Sequence, residues 1–306
     1  IKKGRTRKYV LLNLIKFIED NSLNIAQVDT EKYLNQKFEK VILYKTGKGF
    51  GNLFFKSVAY FNYALINNMM FCIDFDKYAD FNYDEYFDKK YDIEFKKFIE
   101  KNPNCKVITT PELPNNHLTD NLGFYYEFWS VTKFNSMNNE FNTFVSEMFS
   151  NIFNFLFPVK NIIKYKFPES NQPEIGLQIR FGSYLGGCSN SNKYFCNQQG
   201  LNKFIDIIKN SNNKFYIATD NCEVKKHIKE YYKEKIFIFE HDLDHPYECS
   251  SETNFFSISE IISLSKCKKL YITGGHGNDD KCMRSSFGLV SSILNNIEYE
   301  WINNDH

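Results

Sequence analysis

The sequence predicts an α/β protein of two domains, each built on a parallel sheet, that face each other across a cleft. Its 306 residues exceed what one compact domain usually needs and suit two. Short apolar strands alternate with amphipathic helices in both halves, as in parallel sheets covered by helices. The polar, proline-containing segment "FPESNQPE" is the best linker candidate. We therefore expect an N-terminal domain over residues 1–166 and a C-terminal domain over 167–306.

The N-terminal half begins with helical spacing and continues with a strand, a glycine-rich turn, a helix and a second strand. Apolar residues that recur every three or four positions indicate the helices, and short apolar runs indicate the strands. The predicted elements are a helix at 9–20, a strand at 41–45, a helix at 52–67, strands at 69–74 and 105–110, and one or two helices over 139–165, interrupted at Phe157 and Pro158.

The C-terminal half alternates more regularly. A strand that begins at Ile175 opens it, and the last predicted element is a helix. Such βα alternation predicts a parallel sheet with helices on both faces. The elements after the first strand are a helix at 200–210, a strand at 214–220, a helix at 222–233, a strand at 235–240, a helix at 256–266, a strand at 269–275 and a helix at 285–295.

Composition excludes several classes of function. The formal net charge is +1, so neither a nucleic-acid partner nor an acidic membrane surface is expected. No apolar run reaches the length of a membrane span, and no signal peptide is evident. The chain is rich in Asn yet has no N-x-S/T acceptor, and its eight cysteines include no C-x-x-C pair. These features favour a cytoplasmic location with reduced thiols; a Golgi lumen, with an anchor removed, is the alternative.

The turn "GKGFGN" is the first candidate for a ligand site. Gly49, Gly51 and Asn52 lie between a strand and a helix, where backbone N–H groups can face an anion. A dinucleotide fingerprint would need a third glycine where Phe54 stands. Asp74, at the end of the next strand, occupies the place of a ribose-binding acid, so the dinucleotide interpretation stays open, as does an ordinary tight turn.

Arg180 is the strongest single candidate. It ends the buried strand "IGLQIR", and open α/β sheets bind ligands at the carboxyl ends of their strands. Its guanidinium suits phosphate oxygens, although a structural ion pair would place an arginine there equally well. Ser285 and Ser286 of "RSSFG" begin a helix, where they can hold a phosphate or simply cap the helix.

Several acidic groups carry alternative interpretations. Asp74 and Asp76 of "DFD", and the loop "EHDLDH", offer oxygen and histidine ligands, but a solvated strand end and a polar loop explain them as well, so no metal is expected. Glu260 lies on an amphipathic helix, where a lone acid is usually a surface residue. The aromatic segment "FYYEFWS" at 124–130 could stack on sugars or belong to a core.

Four segments together resemble the fucosyltransferases of GT-B type. They are the turn and helix in "GKGFGNLFFKSVAYFNYALINNMMFCID", the strand "IGLQIR", the strand "FYIATD", and the closing "SEIISLSKCKKLYITGG" with "RSSFG". They occur in the family's order and span most of residues 41–295. The arginine segment is most similar to the xyloglucan and α-1,2-fucosyltransferase type.

The resemblance implies a GT-B fold of two facing Rossmann-like domains. It also implies inverting transfer of fucose from GDP-fucose to a hydroxyl of a glycan or glycosylated acceptor, with no metal or other cofactor. Matched by motif, Arg180 would bind the donor pyrophosphate as the catalytic group and Glu260 would contact the nucleoside. The phosphates would be lined by Ser285, Ser286 and Phe287, and the loop facing the donor would consist of Gly49, Gly51 and Asn52.

The base that accepts the proton of the acceptor hydroxyl is not identified by any motif. Its candidates are His276, Asp279, Asp280 and Glu127. The chain also departs from the family at Phe181 and Ser183, where related enzymes carry a second basic residue or an acid. These departures motivate two alternatives: a non-catalytic carbohydrate- or nucleotide-binding protein on the same fold, and a transferase that uses another nucleotide sugar.

Overall fold

The computed structural model describes residue 33 and residues 37–45, 49–75, 81–88, 93–109, 139–163, 172–181, 195–239, 251–275 and 285–304. These residues form an α/β structure with two separate parallel sheets, so the predicted fold class is confirmed. The first unit takes its residues from Ile1–Lys45, Lys56–Asp74 and Lys89–Pro158, and the second from Thr46–Phe55, Phe75–Asp88 and Val159–His306. The expected boundary at residue 167 lies outside the described residues and stays a prediction.

The first unit holds a three-stranded parallel sheet with the order β2-β1-β3. Its central strand is flanked by both others, and the four residues between its terminal lysines are buried. This explains why the strand reads as a continuous apolar run. The elements from residue 40 to residue 156 are β1 (Lys40–Lys45), α1 (Phe50–Ile66), β2 (Met70–Asp74), α2 (Tyr83–Tyr86), α3 (Phe95–Lys101), β3 (Lys106–Thr109) and α4 (Asn139–Leu156). Of these, α2 and the start of α1 belong to the second unit.

An aromatic cluster around Tyr33 ties the helices of this unit to its sheet. The Tyr33 ring contacts Phe61 of α1 and Phe155 of α4 at centroid distances of 5.2 and 6.1 Å. Its hydroxyl accepts the Phe71 N–H of β2 at 3.0 Å. Helix α4 ends at Leu156, shortly before Pro158, since a residue preceding proline disfavours helical geometry. The predicted interruption is therefore confirmed.

The second unit holds a five-stranded parallel sheet with the order β6-β5-β4-β7-β8. The order reverses between β4 and β7, and this reversal is a topological switch point, where open α/β sheets bind their ligands. The elements are β4 (Ile175–Ile179), α5 (Gln198–Lys209), β5 (Phe215–Thr219), α6 (Cys222–Tyr232), β6 (Ile236–Ile238), α7 (Ser251–Leu264), β7 (Lys269–Gly275), α8 (Ser286–Leu294) and β8 (Glu298–Asn303).

The two faces of this sheet have separate cores. Leu177 and its neighbours on one face pack with Phe204 of α5 and Ile228 of α6. On the other face, a Cβ at Gly176 would lie 2.5 Å from Leu270 and 2.8 Å from Leu264. The side chains of Leu264 in α7 and Leu270 in β7 fill the space beside Gly176, so a Cβ there would have to displace them. The alternation along β4 also places Gln178 on this second face.

Strand β8 corrects the sequence analysis, which ended the fold at the helix 285–295. It pairs in parallel with β7 at the edge of the sheet. Its sequence "EYEWIN" alternates in exposure, but its glutamates have low β propensity, which hid the period of two. Lys269 of β7 lies 3.5 Å from both Glu298 and Glu300. In the described part of the chain, no helix is long and apolar enough to span a membrane.

Candidate functional site

The candidate site lies at the carboxyl edge of the second sheet, at the switch point between β4 and β7. Arg180 follows β4 directly, and its backbone N–H donates to Thr273 Oγ1 of β7 at 2.9 Å. The same hydroxyl donates to the Gln178 carbonyl at 3.0 Å, and Thr273 is fully buried. One threonine therefore fixes the backbone of Arg180 across the switch point.

The Arg180 side chain lies beside a carboxylate and an aromatic ring. Its Nε is 3.9 Å from Asp220 Oδ2, which is an ion pair but too long for a hydrogen bond. Its guanidinium carbon lies 4.8 Å from the centroid of the Phe195 ring, a cation–π geometry. The side chain remains 32% exposed. The structural ion pair considered from the sequence is therefore present, and it leaves part of the arginine accessible to a ligand.

Asp220 also organises the backbone next to Arg180. It follows β5 as Arg180 follows β4, and its Oδ1 accepts the Phe181 N–H at 2.7 Å. A carboxylate that accepts a backbone N–H and contacts a guanidinium orients both groups. Asp220 thus holds the first residues after β4 in place and keeps the guanidinium of Arg180 beside the end of β5.

Ser285 occupies the N-cap position of α8 without acting as a side-chain cap. Its backbone is extended, but its hydroxyl makes no cap hydrogen bond. The residue is 2% exposed, and its Oγ has no hydrogen-bond partner among the described residues. The simple capping interpretation is therefore wrong for this side chain. A buried hydroxyl without a partner costs about 1–3 kcal/mol, and a bound ligand could satisfy it.

The glycine turn runs into α1, so that Gly51 lies in the first turn of this helix, and here it packs against the start of α8, within the second unit. A Cβ built on Gly51 would lie 2.5 Å from the carbonyl carbon of Ser286 and 2.6 Å from the Phe287 nitrogen. Position 51 therefore needs glycine because two backbones approach closely. Nothing surrounds a Cβ at Gly49, whose carbonyl accepts the Asn52 N–H at 3.0 Å. The first N–H groups of α8 lack helical partners and carry partial positive charge.

Glu260 differs from the surface acid that its helix suggested. It is 7% exposed, on a helix that packs against β4, β5 and α8. Its neighbour Ser259 anchors the helix by donating to the Ile163 carbonyl at 2.7 Å. Burial makes the surface interpretation wrong. The proposed contact with a nucleoside stays a prediction.

The structure brings together part of the predicted set. Gly51 contacts Ser286 and Phe287, while Arg180 is fixed to β7, the strand that precedes α8. The candidates that lie outside the described residues are Asp76, Glu127, His276, Asp279, Asp280 and the loop 240–245. Among the described residues, no group of three or more His, Cys, Asp or Glu side chains could hold a metal ion. Metal independence stays a prediction.

Sequence reasoning missed the residues that position Arg180. Asp220 carried a usable signal. It is an acidic residue directly after the buried strand β5, just as Arg180 is a basic residue directly after the neighbouring strand β4. Thr273 and Phe195 carried none. Thr273 lies 93 residues from Arg180, and no periodic pattern surrounds Phe195 in the sequence.

Comparisons with known proteins bear on the fold. No family model matches the chain, and no curated protein matches it. The two parallel-sheet units define a GT-B fold. An Arg-to-Lys mutant of Arabidopsis thaliana FUT1 in complex with GDP shares it with 13% identity and a TM-score of 0.54, covering 97% of this chain and 79% of that chain. NodZ alpha-1,6-fucosyltransferase co-crystallized with GDP has 14% identity and a TM-score of 0.48 over 84% and 93% of the chains. NodZ from Bradyrhizobium has 13% identity and a TM-score of 0.49, covering 84% of this chain and 94% of that chain.

Proposed function

We propose that this protein is an inverting glycosyltransferase that transfers fucose from GDP-fucose to a hydroxyl of a glycan or glycosylated acceptor. The proposal rests on the chemical groups at the carboxyl edge of the second sheet, beside the switch point. An anchored, partly exposed guanidinium follows β4, and a helix start with an unpartnered hydroxyl follows β7. Arginine, helix-terminal N–H groups and a serine hydroxyl together match the chemistry of a diphosphate.

The proposed reaction needs this chemistry at its leaving group. The acceptor hydroxyl attacks the anomeric carbon of fucose, the bond to the diphosphate breaks, and GDP departs with the bonding electrons. Negative charge therefore grows on the diphosphate in the transition state. Arg180 and the N-terminus of α8 would stabilise that charge, and fixed donors of this kind contribute roughly 3–4 kcal/mol each. The proton of the acceptor hydroxyl passes to a base that stays unassigned.

The choice of GDP-fucose rests on two supports. The motif resemblance is to fucosyltransferases, and the FUT1 structure that shares this fold contains GDP. The dinucleotide alternative predicts NAD binding, so a thermal-shift comparison of GDP, UDP and NAD addresses the nucleotide directly. Ligand at one hundred times its dissociation constant stabilises a folded protein by about 2.7 kcal/mol. Stabilisation by NAD or UDP and not by GDP would contradict the proposal.

Arg180→Ala tests the proposed role of the arginine. Loss of one preorganised donor should lower kcat about 100- to 1,000-fold while the melting temperature stays near that of the natural chain. Lys268→Ala is the matched control, because Lys268 is 79% exposed and pairs with Glu174 at 2.8 Å near the amino ends of β4 and β7. Full activity of Arg180→Ala would contradict the assignment.

Two further measurements separate the alternatives. Activity that survives EDTA is expected, and its loss on chelation, restored by Mg²⁺ or Mn²⁺, would favour a metal-dependent transferase. Release of GDP from GDP-fucose across a panel of glycan acceptors is the direct assay of turnover. Tight GDP binding with no turnover on any acceptor, and no donor hydrolysis, would identify a non-catalytic binding protein.

A further inference from the structure

Asn304, which directly follows β8, is a buried side chain that uses both ends of its amide. It is 6% exposed. Its Oδ1 accepts the Asn197 N–H at 2.8 Å, and its Nδ2 donates to the Phe195 carbonyl at 2.9 Å. Among side chains of this size, only an amide both accepts and donates in this way. Asn304 therefore fixes the backbone on both sides of Cys196.

The segment that Asn304 holds is the one that touches Arg180. The Phe195 ring lies 4.8 Å from the guanidinium carbon, and the Cys196 N–H donates to the Arg180 carbonyl at 2.7 Å. Three consecutive residues thus connect one buried amide to both the side chain and the backbone of the arginine. Residues 195–197 are named the clamp segment.

The start of α5 is shaped to admit Asn304. A Cβ at Gly200 would lie 2.5 Å from Asn304 Oδ1, so any other residue there would displace the amide. The Gly200 N–H instead donates to Asn197 Oδ1 at 2.9 Å, which caps the helix. The Asn197 side chain caps the helix, while its backbone N–H donates to Asn304 Oδ1. Glycine at position 200 leaves room for that oxygen.

We infer that Asn304 is a positioning residue: through the clamp segment it orients the guanidinium of Arg180 for the diphosphate. The identity of the ligand in this inference rests on the proposed function. The geometry does not depend on it. Without Asn304, the Phe195 carbonyl and the Asn197 N–H each lose the hydrogen bond to it, and the Phe195 ring is held less firmly. Part of the ordering of Arg180 is then left to ligand binding, and ordering one flexible side chain weakens affinity up to about tenfold.

The geometry can be tested without any nucleotide. The chain has four arginines, Arg5, Arg7, Arg180 and Arg284, so Arg180→Lys assigns the Arg180 Nε–H signal in a proton–nitrogen NMR spectrum. In the natural chain the Phe195 ring should shift that signal away from the values of arginines in unfolded peptides. Asn304→Ala should move it towards them, and so should Phe195→Leu, which leaves both Asn304 bonds in place. An unchanged Arg180 signal in Asn304→Ala would overturn the inference.

A double-mutant comparison tests the effect on binding. By titration calorimetry, Asn304→Ala should weaken GDP affinity about tenfold in the natural chain and have no further effect in Arg180→Lys, which lacks the planar group to be oriented. Asn202→Ala, an exposed amide of α5 bonded only to Gln198 among the contacts described, is the control. Equal losses in both backgrounds would indicate a merely structural role and overturn the inference. Failure of the natural chain to bind GDP would instead contradict the proposed function, while the NMR result still decides the geometry.

Discussion

Gly51→Ala should separate the glycine turn from the start of α8. The added Cβ would lie 2.5 Å from the Ser286 carbonyl carbon, about 0.9 Å inside the 3.4 Å at which ordinary contact begins. The three atoms it would meet belong to the backbone of Ser286 and Phe287, so no side-chain rotation can relieve the overlap. The turn or the helix must move by close to an ångström. Overpacking of this kind typically costs about 1–3 kcal/mol.

The assay combines urea unfolding with nucleotide titration. Gly51→Ala should lower the free energy of unfolding of the second unit by about 1–3 kcal/mol and weaken GDP binding, because the helix N-terminus has moved. Gly49→Ala is the matched control for stability, since its Cβ meets nothing within 4 Å. If both variants unfold at the same urea concentration and Gly51→Ala binds GDP as the natural chain does, the close approach described for the turn is refuted.

Two other predictions concern buried polar groups. Ser285→Ala should leave the free energy of unfolding unchanged or slightly higher, because its hydroxyl has no partner in the described structure. The same variant should weaken GDP binding. Chemical unfolding and calorimetry on one sample check both effects, and a large loss of stability would contradict the prediction. Burial raises the pKa of the Cys196 and Cys267 thiols to about 12. Both should therefore resist iodoacetamide at pH 8 until urea is added, and the stability they contribute should be intact near pH 8 and decrease as pH rises from about 9 towards 12. Rapid labelling of Cys196 or Cys267 in the native protein, located by peptide mass, would contradict it.

The sequence predicted where individual helices and strands lie better than which strands pair with one another. The strand before Arg180 was recognisable because five consecutive residues are buried, and the switch-point rule then placed the arginine at a ligand edge. The order β6-β5-β4-β7-β8 did not follow from periodicity, because periodicity reports which face of an element is buried and not which strand pairs with it. β8 was missed because glutamates alternate with its aromatic residues.

The contacts that define the site are long-range, and this is why they could not be predicted. Thr273 and Asn304 reach Arg180 and the clamp segment across 93 to 109 positions. Glu260 was misjudged because α7 is packed on two sides, by the sheet and by α8, so an amphipathic pattern with one wet face does not apply. Ser285 was recognised by its position at a helix start, but only the structure revealed that its hydroxyl makes no cap.

The place of β8 and Asn304 in the chain has a consequence for biosynthesis. Every other described strand leaves the ribosome before them, and domains complete their folding only after their last segment has emerged. We therefore expect the arginine to acquire its final orientation only after β8 and Asn304 have been synthesised. On the proposed function, a nascent chain that still lacks β8 and Asn304 would bind nucleotide weakly, so the ligand would stabilise chains that include them in preference to shorter ones.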